Sequence, residues 1–176
     1  MSSNLEKIIK GRVWKFGDSI NTDIIAPQGD RGLHLHETTM AAIRPDFPSN
    51  VRPGDILVTG KNFGCGSHRE EANLIIKNIG IQAILAESVA RLFFRISISL
   101  AFPTFIAPGI TSIIEDQEMV EIDYVAGTAT NLITNKQIFI RKFSPSVENI
   151  FHAGGIIPLL SQRLEWEENI KKNENQ

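Results

Sequence analysis

With 176 residues, 42% of them apolar and 22% charged, the chain has the size and composition of one globular domain with a sizeable core. A net charge of −2 offers no basic field for nucleic acid, and no stretch stays apolar long enough to span a membrane. Cys65 is the only cysteine, which excludes an intramolecular disulfide and any cluster or zinc site built from this chain's thiols alone. Residues 1–10 lack the long apolar run of a secretory signal, so the expected compartment is the cytoplasm.

In chain order, the elements predict a mixed α/β domain. Gly11-Arg12-Val13-Trp14-Lys15-Phe16 alternates as a half-buried strand does. Residues 28–50 hold glycine, proline and scattered polar groups, and read as a long loop with one helical turn around 38–43. Loops of that length in a compact domain are usually functional or mobile. Next come a strand over 55–59, a helix over 69–79, a strand over 82–86, a helix over 88–98 and a strand over 103–107. The first of these helices is expected to turn Ala72, Leu74, Ile75 and Ile76 inward and to end at Gly80, where a helix C-terminal glycine belongs. A β-α-β-α-β order implies a small parallel sheet with right-handed crossovers. Residues 118–141 shift to β-rich alternation, with Asn135-Lys136 as a hairpin turn. A last helical segment from about Ser146 is interrupted near Gly154-Gly155, and the charged tail from about Glu165 is expected to fray.

The stretch richest in chemistry is Gly60-Lys61-Asn62-Phe63-Gly64-Cys65-Gly66-Ser67-His68-Arg69-Glu70, between a strand and a helix. Its glycines allow sharp turns and are expected to leave backbone N–H groups uncovered. A hydroxyl, a guanidinium and a helix N-terminus then converge within three residues, which suits a small carboxylated molecule and developing negative charge beside it. Simpler readings compete. Ser67-His68-Arg69-Glu70 is also a capping box, with serine at the N-cap and glutamate three residues on. Arg69 could be a solvated first-turn residue, although the helix dipole slightly disfavours a cation there. Asp23 could simply start a turn after Asn21-Thr22. Cys65 reads as a small packed loop residue, and Glu87 and Arg91 lie four apart and are placed to pair.

Four segments, Asn21-Thr22-Asp23, residues 60–70, Ala86-Glu87-Ser88-Val89-Ala90-Arg91 and Ala153-Gly154-Gly155, together resemble the small subunit of 3-isopropylmalate dehydratase, the swivel domain of the aconitase superfamily. The resemblance covers roughly residues 11–160 in the family's order. It implies an aconitase-like swivelling β/β/α domain spanning 1–176, with its core at about 11–160. It further implies a hydro-lyase subunit that interconverts hydroxy acids by dehydration and rehydration in leucine biosynthesis. The [4Fe-4S] cluster of such enzymes sits on a separate large subunit and withdraws the hydroxyl. A single cysteine here agrees with that division of labour, and no metal ligand is assigned to this chain. The partners implied are the large subunit and a small hydroxy acid, with a homo-oligomer as an option for the isolated chain.

Carried over by position, Ser67 resembles the family's catalytic serine, which acts as an alkoxide and takes the proton from a carbon next to a carboxylate. Such an anion needs neighbouring N–H groups, a helix dipole and Arg69 for its stabilisation. Arg69 would grip a substrate carboxylate with both arms of its fork, and Asp23 resembles an active-site carboxylate of the family. His68 stands where the family has a second serine, either touching substrate or pointing out of the first helical turn. Isopropylmalate enzymes follow the Thr-Asp pair with Ile-Ile-Pro-x-Arg-Tyr-Leu. Here the chain reads Ile24-Ile25-Ala26-Pro27-Gln28-Gly29-Asp30-Arg31-Gly32-Leu33, leaving Arg31 to serve substrate from a shifted position. The family's Arg-Asn-Ala-Ile-Asn-Asn-Gly-Leu-Pro becomes Arg95-Ile96-Ser97-Ile98-Ser99-Leu100-Ala101-Phe102-Pro103. These departures keep other acids open, of the homoaconitate, dimethylmalate or citramalate type, as well as a swivel module without catalysis.

Overall fold

The structure, a computed structural model, describes residues 7–27, 35–67 and 69–174. Its centre is β1 (Ile8–Lys15), which pairs in parallel with β2 (Ile56–Thr59) on one side and antiparallel with β5 (Met119–Asp123) on the other. Outward from β2 lie β3 (Ala83–Ala86) and β4 (Thr104–Ile106), all parallel. Outward from β5 lie β6 (Thr128–Asn131) and β7 (Gln137–Phe139), all antiparallel. The expected parallel sheet and the β-rich part are thus one sheet in the order β4-β3-β2-β1-β5-β6-β7, joined through β1. That strand starts earlier than its alternation indicates because Ile8, Ile9 and Lys10 find partners in Asp123, Ile122 and Glu121.

β2 and β3 are buried along their whole length, as strands covered on both faces must be. Alternate residues feed two cores. Leu57, Ile84 and Ala86 join Trp14, Phe63, Ile76 and Phe93 under the helices, while Ile56, Val58 and Leu85 join Phe105, Val120 and Ile122 on the opposite face. The first face is closed by α4 (Glu70–Asn78) and α5 (Arg91–Ser99). Ala72, Ile75 and Ile76 point inward as expected, but Asn73 takes the fully buried place while Leu74 is only half-buried. The Asn73 amide oxygen accepts a 2.6 Å hydrogen bond from Ser97 Oγ, which ties α4 to α5, while its Nδ2 is buried without a partner among the described residues. Gly80 has φ +100° and follows the α4 cap, the left-handed stop its position indicates.

The loop between β1 and β2 holds more structure than one turn. α1 (Thr22–Ile25), α2 (Leu35–Thr38) and α3 (Phe47–Asn50) punctuate it. Phe47 is fully buried, edge-on to both Trp14 and Phe16 at 5.1 and 5.3 Å. Past the sheet, α7 (Pro145–Ala153) ends at Gly154 with φ +90°, and α8 (Ile156–Glu174) follows; the short α6 (Ile110–Ile113) precedes β5. A Cβ on Gly155 would meet the Ser99 carbonyl at 2.8 Å, so the glycine pair lets this corner press on the end of α5. The tail expected to fray from Glu165 is instead helical to Glu174, in a run rich in good helix formers. Among the described residues no helix is long and apolar enough to cross a membrane.

Candidate active site

Two loops meet at the C-terminal end of the parallel strands, one following β1 and one following β2. Gly60 opens the second; a Cβ there would stand 1.9 Å from Asp18 Oδ1. The next N–H groups are all engaged. Gly60 donates to Gly17 O, Lys61 to Asp18 Oδ1, Asn62 to Ser88 Oγ, Phe63 to Ser88 O and Gly64 to Ile20 O, at 2.7–3.1 Å. The expectation of an uncovered cradle is therefore corrected for 60–64: these donors fasten the loop to the protein and are spent. Gly64, at φ +73°, lies against the Phe93 ring, which would be 2.2 Å from a Cβ.

The two loops then zip together. Asn21 and Cys65 form an isolated parallel bridge, with Thr22 N donating to Cys65 O at 2.7 Å. Asn21 also caps α1, its side-chain oxygen accepting from Asp23 N at 2.8 Å. This cap points Asp23 toward Ser67. Ser67 Oγ donates to Asp23 Oδ1 at 2.9 Å and lies 3.3 Å from Thr22 Oγ1 and 3.4 Å from Arg69 Nε. One Arg69 terminal nitrogen donates to Asp23 Oδ1 at 3.2 Å and to Ala26 O at 2.8 Å. Its other terminal nitrogen is 3.7 Å from Glu71 Oε2. The hydroxyl, the carboxylate and the guanidinium are each partly exposed, so a ligand can reach them.

The structure thus brings Ser67, Asp23 and Arg69 together and corrects the capping box. α4 begins at Glu70 with Arg69 at its N-cap and no side-chain cap bond. Ser67 lies outside the helix, turned by Gly66 (φ +102°) toward α1. The fork of Arg69 is also partly taken before any ligand arrives, and its freest edge is the terminal nitrogen beside Glu71. Glu87 does not pair with Arg91: its carboxylate accepts from Gly109 N, Thr111 N and Thr111 Oγ1 at 2.7, 3.1 and 2.6 Å. Burial pushes its pKa up, but the Thr111 hydroxyl and the two N–H groups outweigh that and hold it below the ordinary value. His68 and Arg31 fall outside the described residues. Thr22, fully buried with its hydroxyl facing Ser67, is the member that residue-by-residue reading missed; Asn before Thr-Asp, an N-cap signal, was the clue to it.

Among the described residues no group of three or more His, Cys, Asp or Glu side chains is placed to hold a metal ion. An iron–sulfur cluster does not fit the donors this chain offers, since Cys65 is its single thiol.

The seven-stranded mixed sheet with helices on it has the fold of the aconitase class, and the Aconitase C-terminal domain family matches residues 19–102. The isopropylmalate/citramalate isomerase small subunit of Methanocaldococcus jannaschii is 39% identical over 164 residues, covering 91% of this chain and 98% of that one. The 3-isopropylmalate dehydratase small subunit of Thermodesulfovibrio yellowstonii is equally similar, at 39% over 164 residues, 91% of this chain and 98% of that one. The methanogen homoaconitase small subunit of Methanothermobacter thermautotrophicus is 40% identical over 157 residues, with 87% and 91% covered. The crystal structure of 3-isopropylmalate dehydratase from M. jannaschii superposes with a TM-score of 0.85 at 37% identity, over 92% of this chain and 98% of that one. The chain belongs to the family of 3-isopropylmalate dehydratase small subunits.

Proposed function

We propose that this chain is the small subunit of a hydro-lyase that interconverts 2- and 3-isopropylmalate, with Ser67 as the base. The carrying observation is the 2.9 Å hydrogen bond from Ser67 Oγ to Asp23 Oδ1. A serine hydroxyl is too weak an acid to be found as an alkoxide unaided. Asp23 gives its proton a destination. As the C–H bond beside a substrate carboxylate breaks, the carbon's proton passes to Ser67 Oγ and the serine's own proton to Asp23 Oδ1. The electron pair left on carbon becomes the double bond as the hydroxyl departs. Rehydration on either carbon runs the same transfers backward.

Arg69 has two tasks in this scheme. Its Nε faces the oxygen that carries developing charge, and the terminal nitrogen near Glu71 is the arm left for a substrate carboxylate. A [4Fe-4S] cluster would be held by the large-subunit partner, since this chain has a single thiol, and would supply Lewis acidity toward the hydroxyl. The whole chain serves as one swivel domain that closes on that partner, in the cytoplasm. His68 and Arg31 are assigned to substrate, as the resemblance implies.

A second reading keeps the chemistry and changes the acid. Relatives of 39–40% identity carry isopropylmalate, citramalate and homoaconitate names alike, so overall similarity does not choose among them. The test is an anaerobic assay of this chain with its large subunit, following ultraviolet absorption of the unsaturated acid across isopropylmalate, citramalate, homocitrate and dimethylmalate. Turnover of isopropylmalate supports the first reading. Turnover of another acid alone transfers the mechanism to that acid, and silence with an intact cluster moves the weight to a non-catalytic module or to an acid outside the panel.

A further inference from the structure

Away from Ser67, a cavity of about 430 Å³ opens between α5, α7 and the β4 edge of the sheet. Its walls are Phe94 and Ile98 of α5, Ile106 at the end of β4, Phe143 just before α7 and Val147 within it. All five are only half-buried, so the fold leaves their apolar surface incompletely covered. Volume and lining are in the range of small-molecule sites.

The rim of this cavity carries positive charge. Arg141 anchors its backbone to the β4 edge through a 3.0 Å bond from its N–H to Ile106 O. Its exposed guanidinium has no hydrogen bond or ion pair among the described residues. Lys142 differs, since its Nζ donates to Val125 O. Ser144 stands at the N-cap of the nine-residue α7 without capping it, which leaves its hydroxyl available at the same rim. The one carboxylate α7 carries in its first turn, Glu148, is occupied by the Tyr124 hydroxyl.

We propose that this cavity binds a small monocarboxylate with a branched or aromatic apolar tail. The tail would lie on Phe94, Ile98, Phe143 and Val147, and the carboxylate would pair with Arg141 and accept from Ser144. One free guanidinium matches one anionic group, and the apolar floor has no partner for a second. This site is separate from the Ser67 cluster and does not depend on the reaction assigned to it.

The experiment is calorimetric titration of the full chain with 4-methylpentanoate, and with 4-methylpentanamide, which keeps the tail and removes the charge. Saturable one-to-one binding of the acid, about tenfold tighter than the amide, is expected. Arg141→Gln should remove that tenfold preference. Val147→Trp, checked for folding by circular dichroism, should abolish binding of both compounds by filling the cavity. Arg69→Gln should leave the titration unchanged. No saturable binding to the unaltered chain overturns the proposal, as does acid binding that survives Arg141→Gln undiminished. Binding lost in Arg69→Gln overturns it too, by placing the acid at the Ser67 cluster.

Discussion

Gly66 and Asn21 occupy each other's space so closely that a Cβ on Gly66 would lie 2.1 Å from Asn21 Oδ1. That oxygen is the one that caps α1 and so aims Asp23 at Ser67. Gly66 also sits at φ +102°, where any other residue is strained. Gly66→Ala should therefore cost about 1–3 kcal/mol of stability. It should lower turnover by far more than its loss of fold explains, because the cap and the Asp23 direction go together. Urea unfolding beside an assay of the reconstituted complex checks this; full activity with the serine loop intact would sink the linkage.

Ser67→Ala separates chemistry from stability. Since Ser67 caps no helix, its loss should change unfolding free energy by no more than about 0.5 kcal/mol. Turnover should fall by about 100-fold or more, the usual reach of a positioned acid–base group. A destabilisation near 1 kcal/mol with activity preserved would restore the capping role instead.

Asp23→Asn keeps an oxygen for the Ser67 hydroxyl but cannot take its proton. The expected result is a large drop in kcat with KM little changed. A purely positioning Asp23 would tolerate asparagine, and near-normal kcat would remove the proton destination from the mechanism.

How much of this could be read from residues alone depended on whether the deciding forces were local. The β-α-β order was legible because Ile56-Leu57-Val58 and Ala83-Ile84-Leu85-Ala86 are short apolar runs between turn signals, and both become strands buried on two faces. Gly80 and Gly154 were legible because a left-handed helix stop needs glycine whatever surrounds it. The start of α4 was misread for the opposite reason. Ser67-His68-Arg69-Glu70 carries a sound local cap signal, but Gly66 and the bridge to Asn21 pull Ser67 toward Asp23, a partner 44 positions away. No spacing rule reports such a contact; the four-segment resemblance assigned Ser67 and Asp23 to one site without pairing them. Phe47 was lost in an apparent loop because its burial depends on Trp14 of β1 and Phe16 just after it.

Arg69→Lys tests the fork. Lysine retains the charge but cannot reach Ser67, Asp23 and Ala26 O from one planar group. Both kcat and KM should worsen, kcat through loss of the donor at Ser67 and KM through the weaker carboxylate contact. Steady-state kinetics that match the unaltered complex would refute both roles.

Asp55 sets a pH dependence that owes nothing to catalysis. It is buried beneath Arg12 and accepts from Arg12 at 2.6 and 3.2 Å, from Trp14 Nε1 at 2.8 Å and from Arg52 N at 2.9 Å. Burial alone would raise its pKa, but the Arg12 guanidinium, the Arg52 N–H and the indole N–H together hold it below the ordinary carboxylate value. A group whose pKa is lower folded than unfolded lends its full stability above the unfolded value, near 4, and loses it as pH falls toward the folded one. Asp116, held by Arg44 and Lys15 N, and Glu87 are shifted the same way and add to the same limb. Unfolding free energy should thus be flat from neutral pH down to about 5 and drop steeply below about 4. Asp55→Asn should lose about 1–3 kcal/mol at pH 7, since Arg12 keeps its charge without its counter-charge. The same variant should show a shallower acid limb, with the remainder carried by Asp116 and Glu87. Urea titrations at neutral, mildly acidic and strongly acidic pH measure both effects; parallel curves for the two proteins would show that Asp55 is not a source of the acid sensitivity.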